Sequence, residues 1–352
     1  MPSEELKQAE ILKNEGKFNE ALKELNNIEE KGGLSSSELL YLHLLKGSVL
    51  YIIGKFSEAI DSSELAYRKS KELMKGLQSI DALIIKGNAL TRLGDTKNAM
   101  EVIVQGEELL KAVKVEDPIE ITKRKGSIAT SKGLVYYFLS NPKATLNNLL
   151  LGLKLLEEVG DKNEIAMSLL LIGMAYTAQG NFEEALNYAE RCQQMTDEIT
   201  DKTIIAYSFS NHGGISAMRG ELDQSMDDYK QALEILEEFN HTQAIGVCLG
   251  NIGEVYRYKG NYRKALKYYE ESVLLIEKTG NINWLSSLLV DLCLLALDIG
   301  DTKLAHDYLG RIQEFSEQSE NKRIKGSYNL CKALILKTSS RASNRAESEE
   351  IL

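Results

Sequence analysis

Proline is nearly absent, with three residues in a chain of 352. Little therefore interrupts a helix, and the abundance of Leu, Glu, Lys and Ala fits a mostly helical protein. Positive charge is short as well. Lys and Arg number 42 against 52 Asp and Glu, a net charge of −10. That balance argues against a nucleic-acid partner, because neutralising phosphates takes a basic face. It also disfavours an anionic membrane surface. It leaves room for a protein or peptide partner with a basic segment, although acidity of this size serves solubility alone in many proteins. Cysteine is sparse. Cys192, Cys248, Cys293 and Cys331 form no C-x-x-C pair, and each falls near the apolar face of a helical pattern, as buried reduced thiols of a cytosolic protein would. Long apolar runs are missing: the stretch around Ala166 to Ala175, broken by Ser168, is too short to span a bilayer. The opening MPSEELKQAE lacks the basic start and apolar core of a signal peptide. The chain reads as cytoplasmic, with no membrane contact.

Reactive constellations are lacking too. The sequence holds no H-E-x-x-H, no G-x-x-x-x-G-K-[ST] and no strand–turn–helix able to seat a phosphate loop. His43, His212, His241 and His306 are dispersed, with no two at metal-ligand spacing. Glu237-Glu238 and Glu270-Glu271 lie on charged helix faces, where solvation accounts for them, and Trp284 reads as a packing residue. No catalytic residue, metal site or cofactor is expected, so the chain reads as a non-enzyme.

What is present is a pattern, clearest in residues 249–277, LGNIGEVYRYKGNYRKALKYYEESVLLIE. Leu249, Ile252, Val255 and Tyr256 mark one helical face, and Ala265, Leu266, Tyr269, Val273 and Ile276 mark a second. Between them Gly260 suits the positive φ of a helix end and Asn261 suits the next N-cap. Gly253, inside the first face, costs helix propensity and is explained if a neighbouring helix approaches it closely. The hairpin recurs. Anchors at Ala9, Gly47, Gly87, Gly133, Gly173, Gly213, Gly253, Cys293 and Ala333 are spaced 38, 40, 46 and then five times 40 residues apart. Five residues beyond each turn stand Ala21, Ala59, Ala99, Thr145, Ala185, Ser225, Ala265 and Ala305, small enough for close helix contact.

Leu249-x-x-Ile252-Gly253-x-x-Tyr256 followed by Ala265-x-x-x-Tyr269, echoed by Gly173, Tyr176, Gly180 and Ala185, resembles the tetratricopeptide repeat (TPR). The 40-residue step departs from the usual 34 and resembles the longer-helix type of the LGN spindle-orientation adaptors and kinesin light chains, which also carry Gly-Asp or Gly-Asn between units, as Gly160-Asp161 and Gly280-Asn281 do. The resemblance implies an all-α fold, a right-handed solenoid of stacked antiparallel helix pairs. It covers the chain as one solenoid, 1–352, with units at about 4–33, 35–75, 77–114, 117–160, 161–200, 201–240, 241–280 and 281–320 and an incomplete 321–352. Ser3 is placed as the first cap. The fourth unit is irregular, since Asp117-Pro118 starts a helix running to about 139. That insertion reads either as a local change of twist or as a break or docking protrusion. Ser339 and Ser340 mark a last turn, and the abrupt Ile351-Leu352 suggests either a chain cut short, with an output domain expected beyond it, or an end that binds something, the first being the favoured reading.

The resemblance further implies that the first helices of the pairs line a concave groove, with residues two before, one after, and four or five after each anchor pointing inward. The residues proposed for it are Asn88, Arg92, Tyr137, Asn211, Asn251, Glu254, Arg257 and Tyr258. An amide such as Asn211 or Asn251 both donates and accepts, so it can hold a peptide backbone regardless of sequence. Arg257 suits a two-pronged carboxylate contact. Arg92 and Tyr258 add a charge and an amphipathic ring. The carboxylate-clamp set of chaperone adaptors is not reproduced. Ordinary exposed polar residues on helix surfaces would look the same. The function implied is a non-catalytic interaction scaffold holding a peptide or helix in its groove. The alternative is a sensor region of a larger signalling or transcription-control protein. A third reading, an aspartyl-phosphate phosphatase of the Rap kind, needs catalytic residues on an N-terminal bundle, where units one and two look like ordinary repeats.

Overall fold

The computed structural model describes residues 3–113, 117–318, 322–338 and 342–351, and every regular element among them is an α-helix. The turn expected at Ser339 and Ser340, and the terminal Leu352, lie outside the described residues. Two compact units divide the chain. The first holds the chain up to Arg219 together with Lys230–His241, and the second holds Gly220–Tyr229 together with the chain from Thr242 onward.

In the first unit the helices come in sequential pairs: α1 (Glu4–Asn14) with α2 (Phe18–Lys31), α3 (Ser36–Ile52) with α4 (Phe56–Glu72), and α5 (Gly76–Arg92) with α6 (Thr96–Ala112). They continue as α7 (Pro118–Phe138) with α8 (Pro142–Val159), then α9 (Lys162–Ala178) with α10 (Phe182–Gln193), then α11 (Lys202–Met218). Helix α12 (Leu222–Glu238) contains the point of division. The second unit continues with α13 (Thr242–Tyr258) and α14 (Tyr262–Thr279), α15 (Ile282–Asp298) and α16 (Thr302–Gln318), and α17 (Lys322–Lys337) and α18 (Ala342–Ile351). First helices also pack on one another, α3 on α5, α5 on α7, α7 on α9, and α9 on α11. Stacked helix pairs of this kind are an all-α solenoid of tetratricopeptide type.

The boundaries follow from capping chemistry. Asp95, Asn141, Asp161, Asn181, Asp201, Asn261 and Asn281 each accept a backbone N–H two or three residues on, contributing about 1 kcal/mol apiece. Ser3 accepts from Leu6, and Ser35 with Glu38 makes a complete capping box. Gly260 ends α13 at a φ of 71°, and the N–H of Asn261 donates to the Tyr256 carbonyl at 2.9 Å. The turn of the fourth pair, Ser140-Asn141-Pro142, has no glycine, and Ser140 itself takes the left-handed conformation at a φ of 54°.

Close packing explains the small residues. A Cβ at Gly253 would lie 2.9 Å from the Tyr269 ring, so the anchor glycine lets α13 and α14 touch. Gly87 faces Ile103, and Gly133 faces Leu149, in the same way. Ala21, Ala59, Ala99, Ala185, Ala265 and Ala305 are fully buried. The two layers differ as their positions demand. Helix α9, flanked by neighbours, buries Ile165, Ala166, Leu169, Leu170, Leu171, Ile172 and Ala175, whereas its outer partner α10 buries only Ala185, Ala189 and Cys192. All four cysteines are buried, and none of them forms a disulfide.

The long α7 runs from Pro118, with Asp117 accepting the Ile119 N–H, as the Asp-Pro pair dictates. Its added first turn is tied down, because Arg124 pairs with Asp81 of α5 at 2.7 Å and with Glu120 at 2.5 Å. The insertion is therefore packed onto the neighbouring repeat and is not a free protrusion.

Candidate functional site

The inner faces of the first helices in the first unit enclose a cavity of about 240 Å³. Its walls follow a helical stripe about each anchor: Glu164 and Ile204 nine before, Ser127 and Met167 six before, Ile85, Ser131 and Leu171 two before, Ser48, Asn88 and Leu134 one after, Ile52 and Arg92 five after. Steps of three and four residues keep these side chains on one face. Apolar side chains such as Ile52, Ile85, Leu134, Met167 and Leu171 alternate on the wall with polar and charged ones, a mixed lining able both to bury apolar groups and to orient polar ones.

The N-terminal hairpin completes the enclosure. Lys13, Asn14 and Phe18 contribute to the lining. The amide of Asn19 donates to the Phe239 carbonyl at 3.1 Å, and the Phe18 and Phe239 rings stand 5.9 Å apart. The first pair of the array thus meets residues more than two hundred positions later, a contact that an open stack of repeats lacks.

Two polar groups inside are incompletely matched. The Nε of Arg92 donates to the Tyr51 hydroxyl at 3.4 Å, and the phenols of Tyr137 and Tyr207 lie close enough to interact electrostatically with its guanidinium. The Oδ1 of Asn88, one turn earlier on α5, is buried with no donor. The Tyr207 hydroxyl instead pairs with His241 Nε2 at 3.2 Å, and burial pushes His241 down to about 4. Further round the wall, burial raises Glu164 and Asp201 above the ordinary carboxylate range. Glu164 accepts from the Ser127 hydroxyl at 3.3 Å, and Asp201 caps α11 through Thr203 and faces Lys13. Burial in turn lowers Lys13.

In the second unit a different set gathers. Arg257 donates to Asp298 at 2.8 Å and stacks over the Tyr258 ring at 5.0 Å, and Tyr258 donates to Glu254 at 2.7 Å. Burial, reinforced by Glu254, pushes Asp291 up to about 7.

Of the residues proposed from sequence, Asn88 and Arg92 line the cavity, and Tyr137 stands beside Arg92. Asn211 is drawn into the contact with α9, its Oδ1 accepting from Thr177 at 3.1 Å and its Nδ2 left without a partner. Asn251, Glu254, Arg257 and Tyr258 belong to the second unit, where Asn251 is partly buried on α13. The expectation that Arg257 takes a ligand carboxylate has to be revised, because Asp298 supplies one from within the chain. The positions six and nine before the anchor, and the closing N-terminal hairpin, were not foreseen. Extending the inner stripe by one more turn toward the helix starts would have found Met167 and Glu164.

The family described as MalT-like TPR region matches residues 126–336. No curated protein matches the chain. Among solved structures, the Rap protein complexed with competence and sporulation factor superposes with a TM-score of 0.67 at 17% identity, covering 99% of this chain and 96% of that one. NprR in complex with its cognate peptide NprX gives 0.61 at 16% identity, covering 86% and 88%. The Rap conjugation gene regulator of plasmid pLS20 in complex with the Phr* peptide gives 0.58 at 18%, covering 79% and 74%. At these identities the likeness is one of fold. The tetratricopeptide resemblance stands, whereas the nearer likeness to LGN adaptors and kinesin light chains finds no support among the matches.

Proposed function

Because this chain belongs to the family of MalT-like TPR regions, we propose that it is a non-catalytic, peptide-binding regulatory protein whose ligand occupies the cavity of the first unit. The observation that carries this reading is the cavity itself, walled by the inner stripe of successive repeats and supplied with Asn88 and Arg92. The apolar part of the wall removes a ligand's side chains from water, and the polar groups among it fix its backbone. NprR and the pLS20 regulator, which share the fold, are complexed with peptides. Affinity is spread over several repeats, with a few anchors dominating. The four buried cysteines, none in a disulfide, suit a reducing cytoplasm.

The test is affinity selection from a random heptapeptide library on the immobilised protein, beside a Met167→Trp variant that fills the cavity from a flexible, partly buried position. The wild type is expected to retain a convergent set of sequences and the variant, with an unchanged helical circular dichroism spectrum, to lose it. No enrichment by the wild type, or equal enrichment by both proteins, overturns the assignment.

A further inference from the structure

We infer that Arg92 is the receptor for a carboxylate of the bound peptide, with Asn88 taking a backbone N–H next to that carboxylate. This rests on the peptide-binding reading and specifies its chemistry.

Guanidinium does not lose its proton at physiological pH, so an enclosed arginine keeps a full positive charge that calls for a counter-charge. None of the ion pairs among the described residues involves Arg92. Its surroundings are phenols. Tyr51 is at 3.4 Å, and Tyr137 and Tyr207 are nearby. Burial pushes Tyr207 further from ionisation. The Tyr207 hydroxyl is engaged with His241 at 3.2 Å. The carboxylates on the same cavity wall are committed elsewhere: Asp201 to the start of α11 and to Lys13, Glu164 to Ser127 and Lys123. Arg257 in the second unit, at the equivalent end of its helix, shows the contrast, since Asp298 satisfies it at 2.8 Å. The guanidinium fork at Arg92 therefore faces the cavity with donors to spare, a geometry that fits a planar carboxylate in two-pronged fashion.

The second observation is independent of charge. Asn88 lies one helical turn before Arg92 on the same face of α5, and its buried Oδ1 has no donor. An acceptor held there meets the N–H of an extended chain whose carboxylate has reached Arg92, because one residue of extended chain spans about 3.3–3.6 Å and one turn about 5.4 Å. A single ligand group of the form –CO–NH–CHR–COO⁻ would satisfy both positions.

The carboxylate comes from the chain terminus or from an Asp or Glu side chain, and the experiment separates the two. Immobilised wild-type protein is offered matched random hexapeptide pools in free-acid and C-terminally amidated form, each prepared with and without Asp and Glu, and retained peptides are quantified by mass spectrometry. The expected result is at least tenfold greater retention of carboxylate-bearing pools over the pool that is amidated and free of Asp and Glu. A preference that persists in the Asp/Glu-free acid pool assigns the terminus, and one confined to pools containing Asp or Glu assigns the side chain. Arg92→Gln should abolish the preference, and Arg92→Lys should restore part of it. The comparison of pools on wild-type protein needs no variant, so a folding defect in Arg92→Gln does not remove the test. Equal retention of all pools by the wild type, or a preference unchanged in folded Arg92→Gln, overturns the role of Arg92 and leaves peptide binding intact. Retention of none of the pools overturns both.

Discussion

Gly152 and Gly106 are both helical glycines, and the packing around them predicts opposite responses to the same substitution. Replacing a helix-interior glycine by alanine gains about 1 kcal/mol in propensity where space allows. At Gly106 on α6 the nearest atom to a new Cβ is Leu83 Cβ at 3.7 Å, an ordinary van der Waals separation. Gly106→Ala should therefore stabilise by up to about 1 kcal/mol. At Gly152 on α8 the new methyl would lie 3.0 Å from the Thr130 backbone nitrogen and 3.1 Å from the Gly126 carbonyl oxygen, both on α7. Backbone atoms cannot swing aside, so α7 and α8 would have to separate by roughly half an ångström to regain normal contact. Overpacking of that kind costs about 1–3 kcal/mol. The methyl would also crowd the Thr130 hydroxyl, which shares a hydrogen bond with Ser168 of α9 at 3.1 Å, a loss of a further 0.5–1.5 kcal/mol or so. The unfavourable terms exceed the propensity gain, and Gly152→Ala should destabilise by about 1–3 kcal/mol. Urea unfolding followed by far-ultraviolet circular dichroism reads the sign directly, with Gly106→Ala moving the midpoint up and Gly152→Ala moving it down. A Gly152→Ala midpoint at or above that of the wild type would refute the packing of α7 on α8 described above.

Three further outcomes are expected. Removing the Asp161 cap by Asp161→Ala should cost about 1–2 kcal/mol and accelerate hydrogen exchange in the first turn of α9, because it frees the Glu164 N–H and also breaks the 2.7 Å pair with Lys123. His241 sits at about 4 when folded against 6.5 ordinarily, so only the unfolded chain takes up its proton between those values. Stability is then complete above about 6.5 and falls as pH drops toward 4, by up to about 3 kcal/mol, and unfolding midpoints at pH 7 and pH 5 should differ less in His241→Gln than in the wild type. Asp291, held at about 7 against 3.8, works in the opposite sense, since its cost is absent below about 4 and complete above 7. Asp291→Asn should accordingly raise the unfolding midpoint at pH 8, by on the order of 2 kcal/mol, and leave it nearly unchanged at pH 4.

The sequence carried the repeat clearly because the physical demand at each anchor is local and recurrent. A glycine must stand where Tyr269 or Leu149 presses on a backbone, an alanine where two helices touch, and an Asp or Asn where a helix begins. Those demands return at nearly constant spacing, so chance is a poor explanation for them. The site was legible in part. Asn88 and Arg92 follow from counting along the inner face, whereas Glu164 and Met167, nine and six before their anchor, lie further toward the helix start than any of the groove positions named from sequence. What could not be read were contacts between residues far apart in the chain. Arg257 and Asp298 are 41 positions apart, and Asn19 and Phe239 are 220 apart. Neither pairing leaves a periodic trace. The division into two compact units has no compositional mark either.

The meeting of Asn19 and Phe18 with Phe239 also bears on how the protein is made. In a simple linear array each repeat can settle on its predecessor as it leaves the ribosome, and the ends fray independently of one another. Here the first hairpin has its final neighbour only after some 240 residues have been synthesised, and until then Phe18 lacks part of its cover. The last step of assembly in the first unit is thus a ring closure, and closure entropy grows only slowly with the length of the loop. Once made, that contact ties the amino-terminal hairpin to Phe239, so fraying of the first repeat has to break it as well.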